Sequence, residues 1–142
     1  MKKMMMMWAL AVSIAFSASA QKLKDAEVPV AVKTSFAKHY PGAVTKWEKE
    51  DGKYEANFKQ AGKTMSALFE SNGVLTESEI DVKVANLPAA VLTYVKENYK
   101  GKTIKEGAII TKANGTVNYE AEVNGIDIIF DGNGKFIKEV KD

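Results

Sequence analysis

The sequence predicts an α+β protein, a tandem repeat of one helix and a four-stranded antiparallel meander, with the helices on one face of the sheet. Three recurrences carry this reading. Val28-Pro29-Val30-Ala31-Val32 returns as Leu87-Pro88-Ala89-Ala90-Val91. Tyr54-Glu55-Ala56 returns as Tyr119-Glu120-Ala121. Phe69-Glu70-Ser71-Asn72-Gly73 returns as Phe130-Asp131-Gly132-Asn133-Gly134. Internal repetition speaks about architecture before it speaks about chemistry.

The first helix is predicted from Val28, Val32, Phe36 and Tyr40, which recur every four residues and form one apolar stripe. Pro29 suits a helix start, where its missing N–H is no loss, and Pro41-Gly42 ends the helix. In the second copy Leu87, Val91, Val95 and Tyr99 repeat the stripe, Pro88 the start and Gly101 the stop. Strands follow. Tyr54, Ala56 and Phe58 alternate with polar neighbours, as do Met65, Ala67 and Phe69. The second copy offers Val117, Tyr119, Ala121 and Val123, then Ile126, Ile128 and Phe130. Period-two alternation means one buried and one wet face. Asp51-Gly52, Ala61-Gly62 and Asn72-Gly73 supply turns in the first copy; Asn114-Gly115, Asn124-Gly125 and Asn133-Gly134 supply them in the second.

Residues 1–20 read as a signal peptide. Lys2 and Lys3 form a positive start, Met4 to Phe16 are largely apolar, and Ser17-Ala18-Ser19-Ala20 offers an A-x-A cleavage pattern. The apolar stretch is short for a membrane span. A periplasmic or secreted location follows, with no membrane attachment after cleavage. The mature chain, 21–142, is expected to be a single domain of two repeats, 28–82 and 87–142. A unit of about 55 residues is marginal alone. The link Lys83-Val84-Ala85-Asn86 is short, and there is no cysteine to staple either half. One shared core is therefore expected.

Charge narrows the partners. Without Lys2 and Lys3 the chain carries eighteen lysines against eighteen acids, and it has no arginine. Arginine is the preferred reader of phosphate and guanine, so a balanced, arginine-free chain argues against nucleic acid.

The run Lys46-Trp47-Glu48-Lys49-Glu50-Asp51-Gly52-Lys53-Tyr54-Glu55-Ala56-Asn57-Phe58 resembles the first hairpin of the PepSY-like family, whose fold is like that of the beta-lactamase inhibitor protein. The Pro-initiated helix before it and the Phe-x-x-Asn-Gly turn after it agree, and the resemblance spans Val28 to Val140. The second copy lacks a counterpart of Trp47 and an Asp-Gly at its first turn. The resemblance implies a broad curved sheet in small exported proteins, and binding or inhibition of another envelope protein. It supplies no catalytic residue.

The residues themselves offer little for catalysis, and no enzyme activity is expected. His39 is the only histidine, four residues after Ser35. A histidine is equally at home beside the carboxyl end of a helix dipole, and no Gly-x-Ser-x-Gly elbow accompanies the pair. One histidine and no cysteine remove the usual zinc sets, and neither metal nor cofactor is expected. Asp131-Gly132-Asn133-Gly134 departs from a calcium loop, with Lys135 at its fifth position and Phe136 at its sixth. Glu77, Glu79 and Asp81 would line one strand face, a solvated row or, alternatively, a cation site. The expected function is a non-catalytic binding module that engages an envelope protein through the helix-free sheet face. Its candidate residues are Glu55, Asn57, Glu120 and Glu122, with Trp47 if it is exposed; for Trp47, core packing competes with a partner contact. A small-ligand or cation-binding protein is the alternative.

Overall fold

The computed structural model describes residues 20–141. The signal peptide read in residues 1–20 thus lies, except for Ala20, outside the described residues. The described residues build nine strands: β1 (Gln21–Leu23), β2 (Thr45–Glu50), β3 (Lys53–Gln60), β4 (Lys63–Phe69), β5 (Leu75–Val82), β6 (Glu106–Lys112), β7 (Val117–Val123), β8 (Ile126–Phe130) and β9 (Phe136–Lys141). Helix α1 (Val30–His39) precedes β2, and α2 (Ala89–Asn98) precedes β6. All nine strands form one antiparallel sheet in sequence order, with β1 and β9 at its edges.

The local chemistry accounts for the elements. Pro29 and Pro88 cap the two helices at nearly identical dihedrals, φ −54° in both, and their carbonyls accept the first helical N–H bonds. Tyr40 and Tyr99 close the helices as C-caps. In the β2–β3 hairpin Asp51 and Gly52 both take positive φ (50° and 77°), the turn that matches the twist of antiparallel strands. In the longer turns a side-chain amide helps: Asn72 Oδ1 accepts the Val74 N–H at 3.1 Å, and Asn114 Oδ1 the Thr116 N–H at 2.9 Å. Gly73 (φ +90°) tucks under α1, where a Cβ would meet the Ala31 carbonyl oxygen at 2.6 Å. Gly134 (φ +82°) does the same under α2, 2.8 Å from Ala90 Cβ. The turns after β4 and β8 therefore pin the sheet to the starts of the helices.

Two expectations are corrected. The halves share a sheet and not a core. Val28, Val32, Phe36, Trp47, Ala56, Phe58, Ala67 and Phe69 form one buried cluster under α1. Leu87, Val91, Val95, Ala121, Val123, Ile128 and Phe130 form another under α2. Continuity comes from β5 pairing with β6, Glu77↔Lys112 through Val82↔Gly107. Main-chain hydrogen bonds thus join the two units, with Val82 of the first packing against the cluster of the second. The second correction is β1, which the repeat pattern did not include; it pairs with β2, placing Leu23 opposite Trp47.

Candidate functional site: the hollow sheet face

Each helix covers one side of the sheet, so the polar alternates of every strand are left on the other. There they line a hollow of about 430 Å³ to which all eight strands from β2 to β9, or the turns between them, contribute. Eight strands laid flat would extend over about 35 Å. One hollow can touch them all only because the sheet curls toward its helix-free side.

The register orders the hollow into rows. Glu55, Leu68, Glu77 and Lys112 face one another in succession across β3 to β6. Ser66, Glu79, Ile110 and Asn118 form the next row across β4 to β7. Glu120, Ile129 and Lys138 form a third across β7 to β9, which Ala108 and Asp81 continue on β6 and β5 outside the hollow. Ile110 and Ile129 are buried although they lie opposite the helices, and Asn118, 6% exposed, is the one buried polar side chain among the described residues. The floor is thus partly apolar and the walls are polar.

Charge is unevenly shared. Glu50, Asp51, Glu55, Glu77, Glu79, Glu120 and Asp127 line the hollow, against Lys53, Lys112 and Lys138. Those lysines stand at the margins: Lys53 begins β3, Lys112 ends β6 and Lys138 lies on the edge strand β9. Acid faces acid in the register at Glu48↔Glu55, Glu106↔Glu122 and Glu122↔Asp127. Directly opposed like charges weaken a sheet. Crowding has a consequence for protonation. Burial, reinforced by Asp81, Glu55, Asp127 and Glu77, pushes the Glu79 carboxyl up to about 7. Burial raises Glu55 as well, against the opposing hydrogen bond from Asn57 and with Glu50, Glu48 and Glu77 adding to the rise. Burial also raises Asp81.

The sequence-derived candidates divide three ways. Glu55 and Glu120 line the hollow. Asn57 shares their face and donates from Nδ2 to Glu55 Oε1 at 3.1 Å, while Glu122, at the far end of β7, meets Lys105 at 3.8 Å. Trp47 does not belong to the surface. It is buried under α1, its ring 5.4 Å from Phe36 and 6.2 Å from Phe69 between centroids. Its parity on β2, shared with Leu23 across the pair and with Ala56 on β3, turns it to the helix side. Ile110, Asn118 and Ile129 are not among the sequence-derived candidates, and Glu79 is one only within the acidic row Glu77, Glu79 and Asp81. The doublets Ile109-Ile110 and Ile128-Ile129 were the available signal: two adjacent apolar residues on a strand put one on each face.

The remaining candidate chemistry is ordinary. His39 Nδ1 lies 2.8 Å from the Ser35 carbonyl oxygen and 3.4 Å from Ser35 Oγ, on an exposed helix end. A ring nitrogen that donates to the carbonyl cannot also accept the hydroxyl proton, so the pair does not form a nucleophile and its base. Asp131 Oδ1 accepts the N–H groups of Asn133 and Lys135, both at 2.9 Å, as a turn-forming carboxylate does. Among the described residues no three acids or histidines are grouped to hold a metal ion.

Two helices on one side of an open nine-stranded sheet, with the other side hollow and bare, define a two-layer α+β protein with a single uncovered concave face. Within that class the chain belongs to the PepSY-like family. The family described as "Putative beta-lactamase-inhibitor-like, PepSY-like" matches residues 16–77 and again 53–138. Among solved structures, a BLIP-like protein from Bacteroides fragilis is 25% identical, with 80% of this chain and 85% of that chain covered and a TM-score of 0.65. A protein from Bacteroides eggerthii named as "putative periplasmic" is 17% identical (80% and 88% covered, TM-score 0.72). A DUF2874 family protein from Bacteroides uniformis is 20% identical (80% and 88% covered, TM-score 0.71). The latter two likenesses establish a common fold. No curated protein sequence matches the chain.

Proposed function

We propose that this chain is an exported, non-catalytic binding module that clasps a protein of the cell envelope in the hollow of its sheet. The observation that carries the proposal is the contrast between the sheet's two sides. One is closed by helices, and the other is curled, uncovered and lined by carboxylates around an isoleucine floor. A concave surface of this kind suits a protruding element of a partner better than a flat one. The likeness to a BLIP-like protein supports an inhibitor-type role, and the leader in residues 1–20 supports export. No described helix is long and apolar enough to cross a membrane.

Affinity capture from envelope extract tests the proposal when two baits are compared: the native chain and a Leu68→Arg variant, which fills the hollow without touching either core cluster. A stoichiometric partner retained by the first and lost by the second supports the reading. A partner held equally by both contradicts it. The second reading, a small-ligand protein, is favoured by one observation: about 430 Å³ lies within the usual range of ligand sites. A thermal shift with calcium, or with small-molecule fractions of the extract, would favour it.

A further inference from the structure

We propose that the hollow recognises a cationic side chain, a lysine or arginine presented by the partner protein, seated over Ile110 with its charge between Glu79 and Glu120 and its donors directed at Asn118. The inference rests on the binding role above and specifies the chemistry of that same site.

Carboxylates alone would not carry it. The independent observation is Asn118. Its side chain is 6% exposed, lines the hollow, and makes none of the side-chain hydrogen bonds found among the described residues. No fully enclosed side-chain nitrogen or oxygen among them lacks a partner, so the small exposed part of Asn118 is its carboxamide, directed into the hollow. A buried amide with open hydrogen-bonding capacity costs stability in the free protein. An incoming N–H donor would meet its carbonyl oxygen.

The register gives the rest of the seat. Ile110 lies between Glu79 and Asn118 in one row, so those two stand two strands apart, roughly 10 Å. Glu120 follows Asn118 on the same face of β7, and its cross-strand neighbour is the buried Ile129. A lysine or arginine side chain has the matching shape: an apolar stem for the isoleucines and a charged head for the carboxylates. A carboxylate ligand would meet a net negative wall. A purely apolar one would leave Asn118 and Glu79 desolvated without a partner. A bare divalent ion would need oxygens grouped more tightly than any found among the described residues.

The test is a titration of the isotopically labelled chain, followed by NMR, with the peptide acetyl-Gly-Lys-Gly-amide and with its norleucine counterpart. The expected result is a saturable shift of the Asn118 side-chain amide and the Ile110 methyls with the lysine peptide, and at least about tenfold weaker binding of the norleucine peptide. Glu79→Gln combined with Glu120→Gln should weaken the lysine peptide by a similar factor, with the rest of the spectrum unchanged. Equal binding of both peptides, no movement at Asn118 and Ile110, or indifference to the two substitutions would overturn the inference. If the envelope partner is still captured by the doubly substituted chain, the clasp stands and the cation does not. If the lysine peptide titrates but no partner is captured, the cation seat stands and the clasp does not.

Discussion

The two faces of this sheet obey different rules. Beneath the helices β2, β3, β4, β7 and β8 contribute aliphatic or aromatic residues that are buried, and the glycines of two turns are fitted to the helix starts with no room for a methyl. Across the same strands, one residue out of phase, acids are set against acids, an asparagine is buried with no side-chain hydrogen bond among the described residues, and the charge of the chain is segregated. Local choices on the first face agree with folding. Those on the second oppose it, and such conflicts concentrate where a surface serves something other than stability. The lesson is that a repeated fold need not mean a repeated function: the helix face is nearly the same in the two halves, while the hollow is assembled once, across both.

That contrast can be broken at its strongest point first. Phe69 is fully buried among Phe36, Trp47 and the α1 stripe. Phe69→Ala should cost about 3–5 kcal/mol in urea unfolding, whereas Leu68→Ala, its neighbour on the hollow side, should cost far less. Next comes the protonation of Glu79. A carboxyl raised from 4.5 to about 7 in the folded state binds its proton more tightly there than in the unfolded chain. Its contribution is therefore present below about pH 4.5 and is lost as pH rises through about 7. Native stability should fall across that window, and Glu79→Gln should flatten the slope and stabilise the chain above it, on the order of 2 kcal/mol. Melting temperatures of both chains at pH 5 and pH 8 measure this; identical slopes would show that the hollow does not hold the proton.

A third effect separates turns that touch a helix from turns that do not. Gly73→Ala brings a methyl onto the Ala31 carbonyl, whereas Gly52→Ala, at a similar φ, meets nothing within 4 Å. Both should destabilise through strain, the first by more than about 1 kcal/mol beyond the second. The smallest effect lies at the rim. Glu106→Lys converts the Glu106↔Glu122 pair to opposite charges and should stabilise by about 0.2–1 kcal/mol in low salt. A loss of stability there would mean that the facing acids are not in conflict.

Much of the helix face was legible in the sequence. The stripes ending at Tyr40 and Tyr99, the prolines at the helix starts, and the Asn-Gly and Asp-Gly turns are local signals, and local chemistry decides them. Trp47 was not settled by alternation alone, because its partners Leu23 and Ala56 become visible only through register. The shared core failed for a related reason: small unit size argues that two repeats must join, but not whether they join by side chains or by the main-chain ladder between β5 and β6. The hollow was half legible. Polar alternation marked Glu55 and Glu120, and the row Glu77, Glu79 and Asp81 stood out. The curl that brings rows from distant strands together, and the burial of Ile110, Ile129 and Asn118 within it, depend on how nine strands coil as one sheet.

Site-specific photo-crosslinking in the living envelope tests the central claim most directly. A benzoylphenylalanine placed at Leu68 in the hollow, or at Lys38 on the exposed side of α1, reports which face meets a partner. A discrete adduct is expected from position 68 and none from position 38. An adduct from position 38 alone, equal adducts from both, or none from either would contradict it.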